Sequence, residues 1–284
     1  MDRRTFLQAT AVPLGAGALS TLAPEPLDAR PKTAAGPTPS ASPGGQRPSV
    51  VVIGGGTFGV WTALHLRERG HAVTLIDTYG PGSSRATSGD ETRQLRVGYG
   101  DRELYARMAQ RAFAAWRARE AEFGVPLMVE TGRLELAPDW TPSLRATHTM
   151  LGKLGVPVEA LSPDELRRRW PQINVDGMGV GLLEPTAAVL RAKSSIIAAA
   201  SAFGRKGGRL VVQRATPGRA EGRRLVDVAL TSGERVSAER FVFACGPWLP
   251  KVFPQLLGGK IKVPGREVFY FGVPAGDTRF NVGS

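Results

Sequence analysis

The sequence predicts an α/β protein, and three observations carry the prediction. A short apolar run, Ser49-Val50-Val51-Val52-Ile53, leads straight into Gly54-Gly55-Gly56-Thr57-Phe58-Gly59 and then into a helical pattern carrying Val60, Ala63, Leu64 and Leu66. A second apolar run, Ala72-Val73-Thr74-Leu75-Ile76, closes on Asp77 about 20 residues beyond the glycines. Farther on, a helical pattern from about Lys193 to Lys206, with Ile196, Ile197, Ala200 and Phe203, stops at Gly207-Gly208. The next run, Arg209-Leu210-Val211-Val212-Gln213, is placed to return to the same sheet. Strand, glycine turn, helix, strand and acid in that order make a Rossmann-like βαβ unit.

Within that unit each residue has a physical task. Gly54 permits the tight turn, Gly56 lets backbone approach a pyrophosphate, and Gly59 allows the helix to pack closely on its strand. Thr57 and Phe58 open the helix, whose positive end meets the phosphates. Gly70 ends the helix, and the Asp77 carboxylate is placed to accept ribose hydroxyls. A lone GxGxxG means little in a chain with 35 glycines; the flanking strand, helix, strand and acid give it weight.

The chain begins differently. Asp2-Arg3-Arg4-Thr5-Phe6-Leu7-Gln8 resembles the twin-arginine export motif, and Ala9 to Ala23 continue as a weakly apolar stretch of small residues. That stretch falls short of the roughly 20 apolar residues a bilayer span needs and fits a signal peptide instead. The paired arginines and low hydropathy favour the twin-arginine route over an ordinary secretory signal. Residues 1–29 are therefore read as the signal, and 30–48 as a disordered Pro/Ala-rich linker. The expectation is an exported protein, periplasmic or extracellular, that engages the twin-arginine export machinery and has no stable membrane span.

Bulk composition narrows the classes. With 284 residues the chain can bury one large or two modest cores. A net charge of +12 admits nucleic acid, anionic lipid or acidic substrates as partners. The basic clusters Arg167-Arg168-Arg169, Arg205-Lys206 and Arg223-Arg224 lack interleaved aromatics or zinc spacing, so they read as solvated surface and no nucleic-acid partner is expected. The single cysteine, Cys245, excludes an internal disulfide and lies in an apolar run, as a small inert thiol would. His65, His71 and His148 have no metal-ligand or triad spacing, and no metal site is expected.

The glycine fingerprint does not separate FAD from NAD, since both present the same adenosine diphosphate half. The segment beyond Asp77 does separate them. Pro81-Gly82-Ser83-Ser84-Arg85-Ala86-Thr87-Ser88-Gly89-Asp90-Glu91-Thr92-Arg93-Gln94-Leu95-Arg96 reads as an extended polar loop, followed by Tyr99-Gly100 and a helix through Leu104, Met108, Ala112, Phe113 and Trp116. An NAD(P)-linked dehydrogenase, the first alternative, more often turns directly into its next helix.

This segment resembles the monomeric sarcosine oxidase branch of the D-amino-acid oxidase superfamily, where a Ser-Ser loop, a Gly-acid-Thr-Arg stretch, a second arginine and a Tyr-Gly pair share that order. The resemblance continues through Glu130-Thr131-Gly132-Arg133-Leu134-Glu135-Leu136, Leu183-Glu184-Pro185 and Phe241-Val242-Phe243-Ala244-Cys245-Gly246-Pro247-Trp248, and so covers the chain from Ser49 onward. It implies a Rossmann-like FAD-binding domain with an interleaved, incomplete α+β substrate domain. It implies that Ser83, Ser84 and Arg85 lie near the cofactor's ribose and phosphates, and that Ser88, Thr92 and Arg93 line the flavin. Arg93 or Arg96 would hold a substrate carboxylate, although Arg96 could instead brace the loop through a surface carboxylate. Asp90 and Glu91 stand where the family usually has one acid. The last glycine turn would pass under the cofactor, with Ala244 and Gly246 beside it and Trp248 covering it; a buried strand ending in a plain turn is the other reading.

The implied activity is FAD-dependent oxidation of the C–N bond of an amino acid or secondary amine, by hydride transfer to flavin. Cys245 does not match the C-terminal cysteine that some relatives bond to flavin, so non-covalent FAD is expected. A non-catalytic flavin-binding fragment is the second alternative. Residues 49–128 and 175–255 are assigned to the FAD domain, and 129–174 and 256–284 to a partial substrate domain. Ser162-Pro163-Asp164-Glu165 before Leu166 is a capping box that starts a helix. Leu225 to Leu230, a Thr231-Ser232-Gly233 turn, Val236 and Phe241 to Ala244 read as short strands. Arg266 to Phe271 resembles a family strand beyond which relatives continue, so the chain is expected to be the front part of a longer enzyme or a naturally short product.

Overall fold

A computed structural model describes residues 47–265 and 267–281. The expected export signal, and all of the linker but its last two residues, lie outside the described residues. The first strand, β1 (Val50–Ile53), is buried along its whole length. Helix α1 (Thr57–Glu68) buries Gly59, Val60, Ala63 and Leu64, and β2 (Val73–Asp77) comes after it. Then come β3 (Thr92–Leu95), α2 (Glu103–Phe123), β4 (Met128–Glu130), β5 (Arg133–Ala137) and α3 (Pro142–Lys153). Next are β6 (Glu159–Leu161), α4 (Pro163–Arg169), β7 (Val180–Glu184), β8 (Ala188–Arg191) and α5 (Ala192–Arg205). The remaining strands are β9 (Arg209–Val212), β10 (Ala215–Pro217), β11 (Ala220–Glu221), β12 (Arg224–Leu225), β13 (Asp227–Leu230), β14 (Arg235–Ser237) and β15 (Arg240–Phe243).

The central sheet has the order β15-β1-β2-β9 and is parallel throughout, with Ile53 opposite Ile76 and Asp77 opposite Val212. Strand β9 does return beside β2 as the sequence predicts. Alternate residues of β1 face opposite ways. Val50 and Val52 pack with Val60, Leu64, Ile196 and Phe203 beneath α1 and α5. Val51 and Ile53 pack with Ile76, Val228 and Val236, beneath the antiparallel sheet β10-β13-β14. Cover on both faces is why the strand reads as a continuous apolar run rather than an alternating one. The capping box of α4 is present, with the Glu165 amide donating to Ser162 Oγ and the Ser162 amide donating to Glu165 Oε2.

Three features differ from the sequence reading. The end of the polar loop is strand β3, which pairs antiparallel with β8, Thr92 opposite Arg191 and Leu95 opposite Ala188. Only Leu95 of the four is buried, so no alternation signals the strand; the ladder is supplied by a partner nearly a hundred residues away. Residues 267–271 form no strand, and Phe269 and Phe271 are 73% and 90% exposed. Their apolar character suits a strand, but among the described residues no neighbouring strand offers it a ladder. Finally, β7 pairs with both β5 and β6, so a strand from the 175–255 segment completes a sheet begun in 129–174. No helix among the described residues is long and apolar enough to cross a membrane.

Candidate functional site

The carboxyl ends of β1, β2, β9 and β15 open on one cavity of about 1010 Å³, large enough for a sizeable cofactor. The glycine turn forms one wall. Gly54 has φ +109°, and a Cβ there would lie 2.4 Å from the Ala244 carbonyl oxygen. A Cβ on Gly59 would lie 1.6 Å from the Gly54 carbonyl oxygen, so both glycines are demanded by packing. Gly56 is different. The nearest atom to its Cβ would be Ser88 Oγ at 3.4 Å, an ordinary contact. The fold does not require glycine there, and the missing side chain leaves open space at the start of α1, where helix dipole and unpaired N–H groups favour an anion. The residues present therefore fit a pyrophosphate.

Gly54, Gly56, Thr57 and Phe58 line the cavity, with Asp77 across from them. The Asp77 carboxylate is oriented by two amides: Oδ2 accepts from the Gly55 amide at 2.6 Å and Oδ1 from the Tyr79 amide at 2.8 Å. Gly59 lies below, at the helix–strand contact its sequence position implies. From the polar loop, Ser83, Arg85, Ser88 and Arg93 reach the cavity, and the Thr57 amide donates to Ser88 Oγ at 3.2 Å. From the last turn come Ala244, Gly246 and Trp248. Gly246 takes φ +50° and begins a short 3-10 turn, the conformation that favours glycine.

Ser84, Thr92 and Arg96 stand outside the cavity wall. Thr92 is held in the β3–β8 ladder. The Arg96 guanidinium lies over the Tyr99 ring, 4.4 Å from its centroid, so it braces the loop by stacking on an aromatic face rather than through a carboxylate. Arg93 is tied on two sides: Nη1 donates to Asp90 Oδ2 at 2.9 Å and to the Thr92 carbonyl at 2.9 Å, and Nη2 donates to the Thr87 carbonyl. Hydrogen bonds from the Tyr270 hydroxyl and from Arg93 hold the Asp90 carboxyl below the usual range.

Sequence reasoning missed part of the wall. Trp61 of α1 and Trp116 of α2 both line the cavity, edge to face with centroids 5.3 Å apart. In the sequence they sit on apolar helical stripes, and periodicity cannot tell a cavity wall from a core. Tyr79, Gln213 and Arg214 also line it, from the ends of β2 and β9. Their signal was the strand pairing itself, which sets the residues after Asp77 beside those after Val212. Cys245 is half-buried on the same wall, its Sγ 3.5 Å from the Ile53 carbonyl. Burial and the nearby Asp77 charge push its thiol up to about 11. Among the histidines, His65 pairs with Glu68, His71 Nδ1 lies 2.8 Å from the Pro48 carbonyl, and His148 sits edge-on to Trp140. No cluster suited to a metal occurs among the described residues.

Comparison with known proteins bears on the family and the fold. A family described as FAD dependent oxidoreductase matches residues 49–279. The chain is 27% identical over 220 residues to N-methyl-L-tryptophan oxidase of Yersinia pestis (strain Pestoides F), covering 78% of this chain and 58% of that one. NikD, described as an unusual amino acid oxidase essential for nikkomycin biosynthesis, superposes with a TM-score of 0.64 at 24% identity, covering 75% of this chain and 54% of its own. L-proline dehydrogenase from P. horikoshii gives 0.65 at 24%, covering 77% and 58%. The two structures show a shared fold. The chain spans a little over half the length of the curated relatives it matches.

Proposed function

The chain belongs to the D-amino-acid oxidase family of FAD-dependent oxidoreductases, and from that premise we propose that it holds FAD non-covalently in this cavity and serves oxidation of the C–N bond of an amino acid or secondary amine. The observation that carries the reading is the open space over Gly56 at the start of α1, beside an acid already oriented on the glycine turn. The relatives' names support the substrate class: one is an N-methyl amino acid oxidase, one an amino acid oxidase and one a proline dehydrogenase.

When bound, FAD supplies the acceptor for the hydride that leaves the carbon beside nitrogen. The chain's residues supply placement. Gly56 and Phe58 would bring backbone N–H groups to the pyrophosphate, and the lone pairs of Asp77 not used by Gly55 and Tyr79 would accept ribose hydroxyls. Arg93, oriented by Asp90 and by the Thr87 and Thr92 carbonyls, would turn its remaining N–H donors to a substrate carboxylate as hydrogen bonds of fixed direction. Trp61, Trp116 and Trp248 would exclude water from the wall they share.

A visible absorption spectrum of the purified protein, taken before and after denaturation and filtration, tests this directly. Flavin bands that pass into the filtrate support the reading. A folded, colourless protein overturns it, and flavin that stays with the denatured polypeptide overturns the non-covalent part. The same reading extends to export by the twin-arginine route into the periplasm or beyond, supported by Arg3-Arg4-Thr5-Phe6-Leu7 and the small-residue stretch after it. Replacing Arg3 and Arg4 with lysines should then retain the protein in the cytoplasm; export that continues unchanged would dismiss that route.

A further inference from the structure

We infer that Tyr79 is a positioning residue that holds Arg85, with its charge uncancelled, against the phosphate-binding part of the cavity. The inference rests on the proposed FAD site and names how this chain prepares it.

The geometry starts at Asp77. Its Oδ1 accepts the Tyr79 amide at 2.8 Å while its Oδ2 accepts the Gly55 amide at 2.6 Å, so one carboxylate fixes both the glycine turn and the backbone of Tyr79. The chain then doubles back through Gly80 and Gly82, at φ +86° and +79°. A Cβ on Gly82 would lie 2.9 Å from Ile197 Cγ1, so this turn is packed on α5 rather than free at the surface. Ser83 Oγ accepts the Arg85 amide at 3.3 Å and the Ser83 carbonyl accepts the Ala86 amide at 3.0 Å. These bonds return Arg85 to Tyr79. Its guanidinium carbon lies 4.5 Å from the ring centroid, and Nη1 donates to the Tyr79 hydroxyl at 2.9 Å. Both side chains line the cavity.

The choice of an aromatic partner matters. Arg93, on the same wall, is paired with the Asp90 carboxylate. Arg85 has no carboxylate partner among the described residues, and most of its N–H donors remain free. A carboxylate would orient Arg85 and also neutralise it. The Tyr79 ring restricts the guanidinium while leaving the cation available to an anion, so less rotamer freedom is lost when a phosphate arrives.

The full-length chain, its Y79F, Y79A and R85A variants and the Y79A/R85A double variant test this by equilibrium dialysis against FAD and, separately, ADP. Tyr79→Ala is expected to weaken both ligands roughly fivefold. Y79F, which keeps the ring and loses only the hydroxyl, is expected to retain most of the affinity. Added to R85A, Y79A should have no further effect, because its action passes through the arginine. Thermal unfolding without ligand should be unchanged in Y79F and Y79A. Wild-type affinity in Y79A, or a Y79A effect that adds in full to that of R85A, overturns the inference and leaves the FAD reading standing. Wild-type protein that binds neither ligand overturns both.

Discussion

The Gly55 amide donates to Asp77 Oδ2 at 2.6 Å, joining the ends of two adjacent parallel strands. A Cβ on Gly55 would lie 2.9 Å from Asp77 Cβ, so the turn and the acid sit as close as backbone allows. The carboxylate therefore shapes the site through the protein's own backbone, independently of any ribose.

Substituting Asp77 should harm the apo fold as well as binding. Asp77→Ala leaves the Gly55 and Tyr79 amides without their acceptor, and loss of charge-assisted bonds of this kind costs about 1.5–3 kcal/mol. Urea unfolding without flavin should show the loss, with Asp77→Asn intermediate. An alanine variant as stable as the parent would restrict Asp77 to ligand contact.

Two glycines of the same motif should separate folding from binding. Gly59→Ala forces a Cβ into the Gly54 carbonyl at 1.6 Å, and overpacking of this kind costs about 1–3 kcal/mol. Gly56→Ala meets nothing closer than Ser88 Oγ at 3.4 Å, so its melting temperature should stay near that of the parent while flavin retention falls. Equal effects in the two variants would remove the distinction between a packing glycine and a ligand glycine.

Acid stability should depend on Glu68. Hydrogen bonds from the Arg119 guanidinium lower its carboxyl from 4.5 to about 2. The shift is downward, so its stabilisation is fully present above about pH 5 and is lost as pH falls from 4.5 toward 2. Arg119 ties α1 to α2 through Glu68, and Lys206 at the end of α5 joins the same group through Glu122. Solvent at this partly exposed site screens the pair, so Glu68→Gln should cost about 1 kcal/mol at neutral pH. It should also flatten the acid limb of a pH-dependent melting curve. A limb unchanged by the substitution would place the acid sensitivity elsewhere.

Cys245 should be a slow nucleophile in the native chain. With its thiol pushed up to about 11, only about a thousandth is thiolate at pH 8. Iodoacetamide labelling followed by mass spectrometry should be slow when folded and fast in urea, and bound FAD should slow it further because Cys245 lines the cavity. Rapid native labelling would contradict the burial that raises the thiol.

The sequence by itself determined the β1–glycine–α1–β2–Asp77 unit, the return of β9 and the capping box of α4. Each is set by neighbours within a turn or two, or by apolar runs that parallel strands require to be continuous, so the residues announce it locally. It also marked about a third of the cavity's lining residues, the glycine turn and Asp77 by their local pattern and the polar loop and last turn by the family resemblance. Tertiary structure alone decided that Thr92–Leu95 is a strand, since its ladder comes from β8 and not from its own pattern. It alone brought Trp61 and Trp116, which also pack against the core, to the cavity wall, stacked Arg96 on Tyr99, and folded Arg85 back over Tyr79. For these residues the outcome depends on which distant surface the chain brings alongside, and a side chain's own chemistry permits several partners until packing selects one.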